Sequence, residues 1–292
     1  MAIDKLQEKI RKMKNPSMVD MTIDISLIPP YILQEEASET LALERYGKEL
    51  MDGLKTIVPA VRFHMGQFSL LGPDGLWILE RLTRYAQEQG FYVALDAPES
   101  LSGQAAERAA QALFASKCLF YFDALVVSAY AGSDCLKPYV KRLKASGKDL
   151  FVVLRTANKS AAEIQDLLTG SRLVHMAAAD VVNNLCDPLV GKSGYSQVAM
   201  IGPASVADVL KKLRARYQKL FMLIDGYDYS NANAKNCSFA FDKMGHGAIA
   251  CAGSSIWGAW KTDETEGLEA TERAVAAAER MKKNLTRYVT VL

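Results

Sequence analysis

The sequence predicts an α/β fold, a single (β/α)8 barrel with an N-terminal helix and a helical insertion before the sixth strand. Short apolar segments alternate with longer amphipathic segments from one end of the chain to the other. The apolar segments are rich in Val, Ile and Phe and apolar on both faces, which is typical of parallel strands covered by helices. Eight such strands close into a barrel, and an open doubly wound sheet is the alternative.

Each predicted strand is a buried-type segment of five to seven residues. The eight predicted strands are residues 19–25, 57–63, 91–96, 123–129, 150–156, 197–201, 219–224 and 247–252. No G-x-G-x-x-G motif follows the first of them, so the sequence disfavours a dinucleotide-binding form of the open sheet.

The amphipathic segments between the strands predict helices. These are residues 74–89, 102–117, 134–146, 160–169, 204–216 and 268–289. Ser160 and Glu163 fit a capping box, and Ser205 with Asp208 fits a weaker one. The segment 170–195 predicts the additional helix before strand six.

Composition excludes several classes of protein. Half of the 292 residues are hydrophobic and 23% are charged, which is ordinary for a globular chain, and the net charge of +2 by itself says nothing about nucleic acid or anionic membranes. The polar N-terminal segment 1–15 lacks the apolar core of a signal peptide, and no apolar run is long enough to span a bilayer. We therefore expect one domain, residues 1–292, in the cytoplasm.

Cysteine and histidine positions give no indication of a metal site. The five cysteines are scattered without a C-x-x-C spacing, so we expect buried, reduced thiols. No histidine and carboxylate set has metal spacing, and no Ser-His-Asp order stands out. We expect His175 and His246 at the surface or behind the site, and we expect no metal.

The carboxyl ends of barrel strands predict where functional side chains lie. The polar residues that could converge there are Asp24, Arg62, His64, Asp96, Arg155, Asp225 and Asp228. They would form either an active site or a set of ion pairs that closes the barrel mouth, and the residues leave both interpretations open.

The turns after strands seven and eight are the usual phosphate corner of such barrels. Residues 253–255 could offer bare N–H groups, but the next basic residue is Lys261. Asp225 and Asp228 would repel a dianion, so the sequence disfavours a tight phosphomonoester site.

Several segments resemble the long bacterial form of orotidine 5′-phosphate decarboxylase. These segments are "YAGSDCLKPYV" at 130–140, "VLRTANKSAAEIQDL" at 153–167 and residues 223–256, and the match is most specific at 130–138 and 156–158. "TIDIS" at 22–26 and "LDA" at 95–97 are similar to the first and third strands of that family. The order and spacing of these segments hold along nearly the whole chain.

The resemblance implies a cofactor-free barrel, usually a homodimer, that converts orotidine monophosphate to uridine monophosphate. In that family a lysine ammonium stabilises and protonates the carbanion formed on the pyrimidine ring, and a carboxylate positions the lysine. An arginine and backbone N–H groups hold the remote phosphate, whose binding lowers the barrier at the ring.

The catalytic positions of the family are only partly kept. The resemblance assigns them to Asp96, which is retained, and to Arg62, which replaces a lysine. The catalytic lysine falls on Pro98 and its aspartate partner falls on Leu101. Proline has no ionisable group, so the family's proton donor is missing.

The substrate-binding positions also depart from the family pattern. The resemblance places substrate contacts at Asp24, Thr156, Asn158, Gly226 and Ser254. Ser254 replaces the arginine that holds the phosphate, and Ala157 replaces a serine that contacts the pyrimidine.

These departures leave two hypotheses. The chain is either a binding or regulatory protein on the decarboxylase scaffold, as a homodimer or paired with another protein, with a nucleotide-like ligand. Alternatively it is an active carbon–carbon lyase that uses relocated groups at the mouth, with Lys159 and Lys192 as candidate replacement lysines. In both cases we expect neither nucleic acid nor a membrane as partner.

Overall fold

A computed structural model of the chain describes residues 1–97, 100–262 and 267–292. Within them, eight parallel strands close a barrel in the order β1-β2-β3-β4-β5-β8-β9-β10, with β10 paired back to β1. The barrel strands are β1 (Ser17–Met21), β2 (Ala60–His64), β3 (Tyr92–Asp96), β4 (Ala124–Ser128), β5 (Asp149–Val153), β8 (Val198–Pro203), β9 (Met222–Asp225) and β10 (Ala248–Ala252). The predicted fold class is confirmed.

Helices surround the barrel and connect its strands. They are α1 (Ala2–Met13), α2 (Pro30–Glu35), α3 (Glu39–Leu54), α4 (Met65–Phe68), α5 (Gly72–Glu88), α6 (Gly103–Leu113), α7 (Ser133–Ser146), α8 (Val174–Asn183), α9 (Ala207–Arg216), α10 (Ala234–Ser238), α11 (Ser254–Trp257) and α12 (Ala270–Thr286). Short 3-10 turns lie at Ile25–Leu27, Ser69–Leu71, Lys159–Glu163, Asp187–Leu189 and Ala259–Thr262. In the described part of the chain, none of these helices has the length and apolar character needed to cross a membrane.

The predicted N-terminal helix is confirmed as α1, which lies across the amino end of the barrel. Its apolar residues Ile3, Leu6 and Ile10 are completely buried. The backbone N–H of Ala2 donates to the carbonyl of Gly147, just before β5. The predicted helix before strand six is also confirmed, as α8.

The predicted helix 160–169 is wrong. Residues Lys159–Glu163 form only a 3-10 turn, and the chain then forms a small antiparallel hairpin of β6 (Leu168–Thr169) and β7 (Arg172–Leu173). Ile164 and Leu168 of this segment are exposed, so no core is present for an amphipathic helix to cover.

The two predicted capping boxes are also wrong. Ser160 lies inside the 3-10 turn, and no α-helix starts there. Helix α9 begins at Ala207 after Val206, without a side-chain cap from Ser205. The caps of α3 and α6 are instead Ser38 and Ser102, whose hydroxyls accept backbone N–H groups.

Two predicted strands end too late in the chain. The first strand ends at Met21, and Asp24 follows it as the cap of a 3-10 turn, where its carboxylate accepts the N–H of Ser26 at 2.9 Å. Strand β5 ends at Val153, not at residue 156.

The cysteines were predicted to be buried, reduced thiols. All five are free thiols, four are buried and Cys118 is partly exposed.

Arg214 of α9 ties together the backbone at the amino end of the barrel. Its buried guanidinium donates to the carbonyls of Ala240 and Gly247, both at 2.6 Å, and to that of Leu220 at 3.0 Å. These carbonyls precede β9 and β10, so the side chain fixes the entry of the chain into both strands.

Replacement of Arg214 by leucine should destabilise the protein by about 2–4 kcal/mol, because it leaves buried carbonyls without donors. Urea unfolding followed by circular dichroism measures the change. The matched control is Arg216→Leu on the same helix, whose exposed ion pair with Asp180 should contribute less than about 1 kcal/mol. If the two variants lose equal amounts of stability, Arg214 does not have the proposed role of fixing the backbone before β9 and β10.

Candidate functional site

Arg62 of β2 lies at the centre of the polar residues at the barrel mouth. Its side chain is only 5% exposed. Nε and Nη2 donate to the two carboxylate oxygens of Asp20 at 2.5 and 2.6 Å, and Nη2 also donates to Oδ1 of Asp225 at 2.6 Å. Asp20 and Arg62 are direct neighbours in the register of β1 and β2, so the sheet itself sets up this bidentate pair.

His64 lies two residues further along β2 and bridges two carboxylates. Its Nδ1 is 3.1 Å from Oδ2 of Asp96, and its Nε2 is 3.2 Å from Oδ1 of Asp20. Asp96 is the register neighbour of His64 on β3. We call Asp20, Arg62, His64, Asp96 and Asp225 the mouth cluster.

The mouth cluster sets the protonation of its own members. Burial lowers the pKa of His64, but hydrogen bonds to Asp20 and Asp96 outweigh burial and raise this pKa to about 9. Burial raises the pKa of Asp20, but the charge of Arg62 and the hydrogen bonds from His64 and Arg62 hold it well below its usual range. At neutral pH His64 is therefore an imidazolium that donates from both ring nitrogens.

A cavity of about 260 Å³ lies over the mouth cluster. It is formed at the carboxyl ends of β1, β2, β9 and β10, and its wall also includes Gln67, Tyr229 and Ser254. Cys251 lines its base, and burial raises the pKa of that thiol well above its ordinary value. The cavity has the position at which barrel proteins bind small molecules.

Asp228 lies on one side of the cavity, with its carboxylate against the turn after β10. The backbone N–H of Gly253 donates to Oδ2 of Asp228 at 2.6 Å, and the Ser254 hydroxyl lies 3.3 Å from the same oxygen. The Ser255 hydroxyl donates to Oδ1. We call these donors the Gly253 corner.

Gly226 brings a second loop against the cavity. Its φ of +78° is in the left-handed region, and a Cβ there would lie 2.6 Å from the Cβ of Ala157. Thr156 and Asn158 on either side of Ala157 bond locally: Thr156 Oγ1 donates to Asn158 Oδ1 at 2.5 Å, and Asn158 Nδ2 donates to Ser160 Oγ at 2.7 Å.

Three residues predicted at the site are not brought to the mouth cluster. Asp24 is exposed and caps its own turn. Arg155 is buried and turned to Asp166, with Nη2 2.8 Å from the Asp166 carboxylate. Leu101 is 81% exposed in the segment before α6. Pro98 lies outside the described residues.

The remaining histidines and the candidate lysines also lie outside the mouth cluster, and Lys159 is exposed in the 3-10 turn after β5. His175 is not at the surface but completely buried in α8, with Nδ1 2.9 Å from the carbonyl of Gln165. His246 bonds to the carbonyl of Leu292 at the amino end of the barrel. Lys192 is exposed next to Ser193, which contacts α1 at that same end.

In the described part of the chain, the cavity wall includes neither a lysine nor a set of metal ligands. Throughout residues 1–97, 100–262 and 267–292, no lysine forms an ion pair with Asp20, Asp96 or Asp225. The same ranges contain no group of three or more His, Cys, Asp or Glu side chains that could hold a metal ion.

Comparison with known proteins places this geometry in context. No protein-family model matches the chain. Orotidine 5′-phosphate decarboxylases of Clostridium novyi and Clostridium acetobutylicum are 25% and 26% identical to it, over 98% of the chain and 98% and 99% of their own lengths. The chain is thus similar in sequence to orotidine 5′-phosphate decarboxylases over nearly its whole length.

Solved structures agree on the barrel. A Leishmania donovani OMP decarboxylase has a TM-score of 0.72 with 22% identity, covering 97% of this chain and 98% of its own. A Plasmodium berghei orotidine 5′-monophosphate decarboxylase has a TM-score of 0.74 with 12% identity, over 97% and 98% of the two chains. At these identities the structural likeness establishes the fold alone.

The structure corrects one residue of the decarboxylase resemblance. The first-strand aspartate that faces Arg62 is Asp20, not Asp24. A signal for Asp20 was present in the sequence, because it is a carboxylate within an apolar strand and such a group requires a cationic or hydrogen-bonding partner. The prediction missed it because the strand was extended to residue 25.

The mouth cluster should make stability depend on pH above neutrality. His64 has a folded pKa of about 9 against an ordinary 6.5, so its contribution is complete below about 6.5 and is lost as the pH rises through 9. We compare the free energies of unfolding of the wild type and His64→Gln. The advantage of the wild type should decrease by up to about 3 kcal/mol as the pH rises from about 6.5 through 9.

Urea unfolding at a series of pH values measures this difference, with His246→Gln at the opposite end of the barrel as control. A gap between wild type and His64→Gln that stays constant from pH 6 to about 9.5 would show that His64 is not held as an imidazolium.

Proposed function

We propose that this chain is a binding protein on a decarboxylase barrel, which holds a small polar ligand at the mouth and does not decarboxylate orotidine monophosphate by the lysine route. The observation that carries the proposal is the pairing of Arg62 and His64 with carboxylates. Each of these cationic side chains is held by two carboxylates.

The proton donor is the first argument against the lysine route. Position 98, where the resemblance places the catalytic lysine, is a proline. Arg62 keeps a positive charge but is effectively always protonated, so it is a poor source of a proton. Its contacts with Asp20 and Asp225 also direct its N–H groups at carboxylates.

Electrostatics at the mouth is the second argument. Among the described residues of the mouth cluster, the charges of Arg62 and His64 are opposed by those of Asp20, Asp96 and Asp225. The excess negative charge would repel a substrate that carries a carboxylate and a phosphate. A neutral ligand with hydrogen-bonding groups, of which uridine is the test case, is compatible with this field.

The wild-type chain should show no turnover of orotidine monophosphate above the uncatalysed rate and should bind uridine at the mouth. Turnover is followed by the loss of substrate absorbance, and binding is followed by isothermal titration calorimetry. Asp225→Asn should weaken uridine by about tenfold, since Asp225 lines the cavity and is more exposed than Asp20, the other mouth-cluster carboxylate in its wall.

Turnover that disappears with one substitution at the mouth would contradict the proposal. The control is Asp74→Asn, an exposed aspartate on α5, which should leave uridine binding unchanged.

An active carbon–carbon lyase is the second candidate, and the protonated ring of His64 favours it. With a pKa of about 9, this ring holds a proton at neutral pH within the cavity wall. In a lyase His64 would give a proton to the carbanion and regain it from water. Turnover in the wild type that His64→Gln abolishes and Arg62→Lys retains would favour this candidate over the binding protein. A dimer and a regulatory role remain predictions.

A further inference from the structure

We propose that Asp228 is a specificity residue that occupies the Gly253 corner from within the chain, so that the ligand of this mouth is unphosphorylated. This inference rests on the proposed ligand site at the same cavity and adds the class of ligand that the site accepts.

Occupancy of the corner is the main observation. The Gly253 N–H and the Ser254 and Ser255 hydroxyls all contact the carboxylate of Asp228. These are three of the donors in the turn after β10 that an incoming anion would use. Each of the three already contacts an anion that belongs to the chain itself.

Electrostatic repulsion also disfavours a phosphate group at the Gly253 corner. A phosphate group at the corner would have to displace Asp228 or lie next to it, and Asp225, at the end of β9, also lines the cavity. Arg62, the guanidinium that lines the cavity, is held by Asp20 and Asp225. Ser254 offers no countercharge. A dianion would therefore meet repulsion without a free cation in the described cavity wall.

The loop that carries Asp228 is also held by backbone hydrogen bonds. The Tyr227 N–H donates to the carbonyl of Cys251 at 3.2 Å, and the Tyr229 N–H donates to that of Gly226 at 3.1 Å. The Ala232 N–H donates to the carbonyl of Tyr229 at 2.9 Å. The loop conformation therefore has support that does not include the Asp228 carboxylate, and a variant at this position can be tested for ligand choice.

The experiment compares uridine and uridine monophosphate by isothermal titration calorimetry on the full chain. The wild type should prefer uridine by at least about tenfold. Asp228→Asn keeps the size of the side chain and removes its charge, and it should shift the ratio of the two affinities by about tenfold toward uridine monophosphate. Asp208→Asn, an exposed aspartate on α9, is the control for loss of one charge and should change neither ligand.

A second variant and probe make the result independent of the nucleoside. Asp228→Ala vacates the corner, and inorganic phosphate should bind it at least about tenfold more tightly than it binds the wild type. If uridine fails to bind the wild type, the proposed ligand is wrong, but the phosphate comparison still decides the role of Asp228.

Two results would overturn the role of Asp228. One is a wild type that binds uridine monophosphate as tightly as uridine. The other is a pair of folded variants, with unchanged circular dichroism, in which neither uridine monophosphate nor inorganic phosphate binds better than in the wild type.

Discussion

The bidentate contact between Arg62 and Asp20 is the interaction on which the arrangement of the barrel mouth depends. A guanidinium as buried as that of Arg62 requires acceptors for its N–H groups, and the register of β1 and β2 puts the carboxylate of Asp20 directly next to it. Asp225 adds a contact from β9. One side chain thus links three strands of the barrel across its carboxyl end.

The remaining features of the mouth follow from this contact. Because Asp20 stays ionised next to Arg62, it also accepts a hydrogen bond from His64, and the second ring nitrogen of His64 then reaches Asp96. The resulting network neutralises its cations internally. A site built in this way positions hydrogen-bonding groups rigidly, which suits the binding of a polar ligand, but it leaves no free ammonium for protonation of a carbanion.

The sequence predicted the barrel and part of the site, each for its own physical reason. Strands covered on both sides have a clear apolar signature, and strand ends direct attention to Arg62, His64 and Asp96. The helix expected at 160–169 failed because an amphipathic pattern does not reveal whether a core is present, and here Ile164 is exposed. The partner of Arg155 depends on where the segment after β5 folds back, which periodicity does not encode.

The most direct test of this account is the ring state of His64, measured by 15N NMR on protein labelled at histidine, with His64→Gln used for assignment. Both ring nitrogens should carry protons at neutral pH, and the ring should titrate with a pKa of about 9. A neutral ring at neutral pH, with a pKa near the ordinary 6.5, would contradict a protonated His64 that bridges Asp20 and Asp96.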